Sequence, residues 1–160
     1  MASREPARLN LLLADEAATI EFARRLLDKL PQDLAGWTVL LGGELGAGKS
    51  TFARALIRAA GHEGPVPSPT YTLVEPYLLS RATIYHIDLY RVSDEEELRY
   101  LGWSELDDGL RLVEWPDRAP GIAAHADLAL TLTYEGSGRR ADLRGLSERG
   151  NVLVRDVELA

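Results

Sequence analysis

The chain of 160 residues contains no cysteine. A disulfide framework and a thiolate metal site are both excluded. Its three histidines, His62, His86 and His125, stand far apart in sequence, which argues against a zinc centre. No apolar run approaches the roughly 18 residues that a membrane span needs. Residues 1–6 lack the apolar segment of a signal peptide. The expectation is a cytoplasmic protein with no membrane contact. Lysine is nearly missing too. Of 18 basic residues only Lys29 and Lys49 are lysine, which leaves 16 arginines. A lysine kept in so arginine-rich a chain marks a place where a planar guanidinium does not serve. Positive charge is also short overall: the net charge of −7 makes the chain a poor nucleic-acid binder by itself.

What is present is a globular composition, 46% hydrophobic, of a size that fits a single domain over residues 1–160. The most informative stretch is Gly43-Glu44-Leu45-Gly46-Ala47-Gly48-Lys49-Ser50, which satisfies G-x-x-x-x-G-K-[ST] at every fixed position. An apolar run at 37–41 precedes it and a helix-like segment starting at Thr51 follows. Strand, glycine-rich loop and helix are the context this phosphate-binding loop requires. Glycines let successive N–H groups converge on an anion, and the helix N-terminus adds partial positive charge. Lys49 supplies a compact cation for the terminal phosphates. Ser50 supplies a hard oxygen ligand for Mg²⁺. Residues 43–51 are thus the candidate nucleotide cradle. The chain has no Asn-Lys-x-Asp guanine motif, so ATP is the expected nucleotide.

Along the rest of the chain, the alternation of Leu9, Leu11 and Leu13 predicts a strand. Asp15 is placed to cap a helix with Ile20, Ala23, Leu27 and Leu30 on one face, ended by Pro31. Residues 61–70 form a loop rich in proline and glycine. Residues 71–79 are strand-like but broken at Pro76, and 83–88 are a second strand. Ser93 followed by Glu96 resembles a capping box. Residues 110–114 and 127–134 are strands. The latter pairs with 140–144 through a turn at 135–138. For 151–159 both strand and helix fit. Strands alternating with helices indicate an α/β, three-layer P-loop NTPase-like fold, its sheet mainly parallel with an antiparallel C-terminal extension.

Such a fold needs carboxylates for the metal at the ends of neighbouring strands. Asp88 and Glu114 each end an apolar run and are the candidates beside Ser50. Thr70, in the loop after the phosphate-loop helix, is placed to sense the γ-phosphate, although the prolines around it also read as a rigid turn. Trp115 follows Glu114 and reads as core or as a lid on the pocket. Ten carboxylates against three arginines lie between Asp88 and Asp117, and most of these read as solvated surface. Between Arg139 and Arg155 the balance is basic and reads as ordinary surface or a modest phosphate or partner contact.

With these residues in hand, the chain resembles the TsaE family of bacterial P-loop ATPases. The words that carry the resemblance are GELGAGKSTFARAL at 43–56, PSPTYTLVEPY at 67–77, YHIDLYRVSDEEEL at 85–98 and LVEWPD at 112–117, in order along nearly the whole length. The resemblance implies an ATP- and Mg²⁺-dependent ATPase that serves formation of threonylcarbamoyladenosine at position 37 of tRNAs reading ANN codons. It implies two protein partners, TsaD and TsaB, with tRNA reached only through them. It implies roles for Lys49, Thr70, Asp88, Glu114 and Trp115 in catalysis, for Ser50, Asp88 and Glu114 at the metal, and for Thr19 and Arg139 at the nucleotide. The alternative reading is a small-molecule kinase of the P-loop class. It would need an arginine-rich lid, and residues 118–140 offer only Arg139 and Arg140 as paired bases. A nucleotide-gated binding module that never hydrolyses is the third reading.

Overall fold

Residues 6–69 and 72–159 are described in a computed structural model. Seven strands form one sheet in the order β1-β7-β6-β2-β5-β4-β3. The centre is parallel: β2 (Thr38–Gly43) lies between β5 (Leu110–Glu114) and β6 (Leu128–Glu135), and β4 (Thr83–Asp88) runs parallel to β5. Both flanks are antiparallel. β7 (Gly138–Gly145) folds back on β6 through a two-residue turn at Gly136 and Ser137, and β1 (Arg8–Leu13) pairs with β7. On the other side β3 (Val74–Leu78) pairs antiparallel with β4. The expected parallel sheet with a C-terminal antiparallel extension is there. The extension also recruits the N-terminal strand, and a second antiparallel strand closes the far edge.

Residues on successive positions of the central strands face opposite layers, as strand geometry requires. Val39, Leu41, Leu112, Leu128 and Leu130 pack with three helices, α1 (Glu16–Lys29), α2 (Lys49–Ala59) and α4 (Glu148–Leu159). Leu40, Val113 and Ala129 face the other way, into a smaller cluster under α3 (Glu97–Tyr100) and 3₁₀ turns at Trp103–Asp108, Pro116–Arg118 and Pro120–His125. The result is three layers, with the long helices all on one face.

Local chemistry sets the elements. Asp15 caps α1 by accepting from the Ala18 N–H at 2.9 Å. Its buried face is Thr19, Phe22, Ala23, Leu26 and Leu27, a 3.6-residue stripe. Ile20, expected on that face, sits about 100° round from Thr19 and is 47% exposed. Pro76 does not break β3, because an edge strand tolerates the missing donor. Ser93 Oγ donates to Glu97 rather than Glu96, at 2.8 Å, so the bond falls one residue beyond the expected box. Residues 151–159, open between strand and helix in sequence, are helical and belong to α4, which begins at Glu148. It is fastened by Asp127, a buried carboxylate that accepts from the Thr38 N–H, the Ser147 hydroxyl and Arg149 at 2.8–3.0 Å. Among the described residues no helix is long and apolar enough to cross a membrane.

Candidate functional site

The loop between β2 and α2 is shaped by what lies beside it. Gly43 has φ +131, and a Cβ there would run into the backbone of Leu132 on β6. Gly46 has φ +80, and a Cβ there would lie 2.5 Å from the Tyr134 hydroxyl. Gly43 is therefore favoured for conformation and required for space, while Gly46 is favoured chiefly for its left-handed backbone. Tyr134 donates to the Leu45 carbonyl at 3.1 Å, and Arg139 donates to the Gly46 carbonyl at 3.3 Å while stacking over the Tyr134 ring. The tip of the β6–β7 hairpin thus grips the loop from one side. α2 opens directly from Gly48, so its free N–H groups face the space the loop encloses.

Lys49 is 5% exposed. Its Nζ donates to the carbonyls of Gly43 at 2.5 Å and Glu44 at 3.2 Å, and it lies 3.9 Å from the centre of the Trp115 ring. Burial pulls its pKa below the usual lysine value, and Glu114, Asp88 and Asp117 pull the other way. The ammonium is therefore held by carbonyl dipoles, an aromatic face and nearby carboxylates.

Asp88 and Glu114 are directly paired at the ends of the parallel neighbours β4 and β5. Both are buried. Asp88 Oδ1 accepts from the Tyr90 N–H at 2.9 Å. Glu114 Oε2 lies 2.5 Å from Nε2 of His86, itself 1% exposed. Immediately after Glu114 the backbone turns left-handed at Trp115, φ 58, which carries the indole back over Lys49. Tyr90 packs against that ring, with centroids 5.1 Å apart.

These groups converge on a cavity of 310 Å³ lined by Gly48, Lys49, Ser50, Asp88, Glu114 and Trp115 among others. A second cavity of 160 Å³ shares Gly48 and Thr51 with the first and adds Asp15, Thr19 and Arg139. The fold thus brings Thr19 and Arg139, 120 positions apart in sequence, to the other side of the loop. Thr70 lies outside the described residues. Ser68, two positions before it, lines the larger cavity. Trp115 is half-buried: it packs against the smaller core cluster and also lines the cavity, so its position serves both readings open in sequence.

The carboxylates, the Ser50 hydroxyl and the cavity are the donor set a hard divalent cation takes. The concave loop, the helix N-terminus and Lys49 are the set a polyphosphate takes. Three contributors were not singled out from sequence. His86 could have been found, because it stands two positions before Asp88 and so on the same face of β4. Tyr90 lies two positions after Asp88 and bonds it through its N–H, whereas Tyr134 carried no local signal, since it reaches the site only through tertiary packing.

Comparison with known proteins agrees with this architecture. The family model described as "Threonylcarbamoyl adenosine biosynthesis protein TsaE" matches residues 13–141. A protein of Haemophilus influenzae named tRNA threonylcarbamoyladenosine biosynthesis protein TsaE is 36% identical over 151 residues, covering 91% of this chain and 95% of that one. A protein of the same name from a Nostoc species is 34% identical over 139 residues, 83% of each chain. The crystal structure of YdiB from Bacillus subtilis superposes with a TM-score of 0.79 at 21% identity, covering 98% of both chains. That likeness concerns the fold.

Proposed function

The chain belongs to the TsaE family, and from that premise we propose that it is an ATP-binding, weakly ATP-hydrolysing subunit in tRNA threonylcarbamoyladenosine biosynthesis. Its product would be the modification at position 37 of tRNAs reading ANN codons, and its partners TsaB and TsaD. The protein would work in the cytoplasm. The observation that carries the reading is the convergence of Lys49, Ser50, Asp88 and Glu114 on one 310 Å³ cavity at the mouth of the glycine loop. A loop of this kind without the two carboxylates would bind phosphate. With them it has the means to orient a metal and a water as well.

In this reading the N–H groups of residues 43–51 cradle the phosphates, and Lys49 leaves its carbonyl partners for the terminal phosphate oxygens. Ser50, Asp88 and Glu114 would hold Mg²⁺ directly or through its waters. When bound, the ion would offset the charge that builds on the phosphate oxygens. Trp115 walls the cavity beside the reacting phosphate. Thr19 and Arg139 border the smaller cavity, on the side where the rest of the nucleotide would extend. Thr70 would sense the γ-phosphate from the adjoining loop. The acidic surface suits a subunit that meets tRNA only through its partners.

The test is ATP turnover by the purified protein, alone and with TsaB and TsaD, followed by a modification assay on an ANN-reading tRNA. Slow turnover alone and faster turnover with the pair is the expected result. Turnover unchanged by the pair, or full modification with the Lys49→Ala protein, would overturn the reading. Transfer of labelled phosphate to a small molecule would favour a kinase instead.

A further inference from the structure

We propose that His86 is a positioning residue, which fixes Glu114 by one of its two carboxylate oxygens and leaves the other for the cavity. The inference deepens the ATPase reading above and rests on it.

The imidazole is 1% exposed and lies 2.5 Å from Glu114 through Nε2. Its other nitrogen, Nδ1, is buried and has no hydrogen-bond partner among the described residues. A histidine kept for packing alone would pair both nitrogens or be replaced by an apolar residue, because an unmet buried polar atom costs stability. Here every polar contact the ring makes is spent on Glu114. With Nδ1 unpaired, the proton belongs on Nε2, which donates to Glu114 Oε2.

Strand geometry explains why His86 can do this. Ile84, His86 and Asp88 share one face of β4, and Leu110, Leu112 and Glu114 share the same face of the adjoining β5. His86 is in register with Leu112, so its ring reaches diagonally to Glu114, two residues further along β5. Asp88, the partner in register with Glu114, is held separately by the Tyr90 N–H. The two carboxylates at the cavity are thus fixed by different donors, one from the main chain and one from a side chain. Glu114 lines the cavity while its Oε2 is occupied. It can therefore act there through Oε1, with its rotation already arrested before nucleotide arrives. Arrested rotation matters for rate because a misplaced catalytic group loses turnover before it loses binding.

The experiment compares His86→Leu, which removes the donor and keeps the bulk, with His86→Gln, whose side-chain amide can reach the place of Nε2. Turnover, KM, ATP affinity by calorimetry and thermal midpoint are measured for each. The expected result for His86→Leu is a kcat lower by on the order of tenfold to a hundredfold, with KM and ATP affinity within about twofold of the parent. His86→Gln should recover most of that loss. In a Glu114→Gln background His86→Leu should have little further effect on kcat. Equal kcat for His86→Leu and the parent would overturn the proposal, as would losses in the Gln variant equal to those in Leu. So would independent, multiplying losses in the double variant. If His86→Leu does not fold, His86→Met, which also lacks a donor, takes its place: a kcat equal to the parent's overturns the proposal, and a loss that His86→Gln recovers supports it. A parent protein with no ATP turnover, alone or with its partners, would instead overturn the underlying ATPase reading.

Discussion

The Lys49 ammonium lies 3.9 Å from the centre of the Trp115 ring, and Trp115 holds that place with a left-handed backbone, φ 58 and ψ 52. A bulky residue in that conformation costs about 1–3 kcal/mol. A cation over an indole face returns about 0.5–2 kcal/mol. The contact does not clearly outweigh the strain, so stability is not the reason for the geometry. Under the proposed function, its use would be to keep an aromatic wall against a cation that moves when phosphate arrives. Addition of ATP with Mg²⁺ should therefore change the fluorescence of Trp115. The change should vanish in Trp115→Phe, since Trp37 and Trp103 lie away from the cavity. A full response in that variant would contradict the assignment.

Lys49→Ala should weaken ATP binding on the order of a hundredfold, from the loss of charge-assisted bonds worth about 1.5–3 kcal/mol each. Lys49→Arg should not restore it. The slot between the Gly43 carbonyl and the Trp115 ring holds a point donor, and a planar fork does not fit it. Calorimetric titration with ATP checks both.

Gly46→Ala should destabilise the fold by about 1–2 kcal/mol from its left-handed backbone alone, with more from the Tyr134 hydroxyl 2.5 Å from the new Cβ. Adding Tyr134→Phe removes that oxygen and should recover part of the loss, while leaving the backbone strain. Urea unfolding of the single and double variants measures the split.

Asp127→Ala should cost about 2–3 kcal/mol, because the Thr38 N–H and the Ser147 hydroxyl lose a buried acceptor. Arg149 is half-exposed and can turn to water, so its share is small. ATP affinity should stay within about twofold, since Asp127 sits beside Thr38, at the opposite end of β2 from the glycine loop. A lowered urea midpoint with unchanged ATP titration is the expected pair of results.

Tyr85 donates to Asp108 at 2.6 Å, and that hydrogen bond, with lesser help from burial and the Asp108 charge, raises its pKa above 10.0. The folded protein then holds a proton that the unfolded chain releases. The stabilisation is complete below pH 10.0 and is lost as pH rises from there through the raised value. Tyr85→Phe should flatten that alkaline loss in a urea-midpoint series taken from pH 8 to pH 11.

Much of the site was legible because its parts are local. The spacing of Gly43, Gly48, Lys49 and Ser50 carries its own backbone geometry. Asp88 and Glu114 were readable because each ends an apolar run, and parallel pairing then brings such ends together. The alternation of Leu9, Leu11 and Leu13 named a strand but not its neighbour. Only the fold shows it beside β7, because backbone ladders do not encode their partner in side-chain type. Residues 152–154 are apolar in a row, which suits a strand or a buried helix turn alike. The tertiary anchor at Asp127 resolves it. Tyr134 was missed as a contributor because its meaning lies in hairpin closure, which no short window of sequence contains; the two-residue spacing of His86 and Asp88 could have placed His86 on the same face of β4, but its reach to Glu114 is set by sheet register.

Pro76, on the outermost strand of one flank, has a consequence for how the molecule behaves in a crowd. A sheet with open sides is a template on which like molecules can add strands and polymerise. At β3 an arriving strand meets a ring that offers no amide hydrogen, on a segment only five residues long. That side of the sheet is a poor seed for self-association. The same proline that looked like an interruption acts as an end-stop for that edge of the sheet.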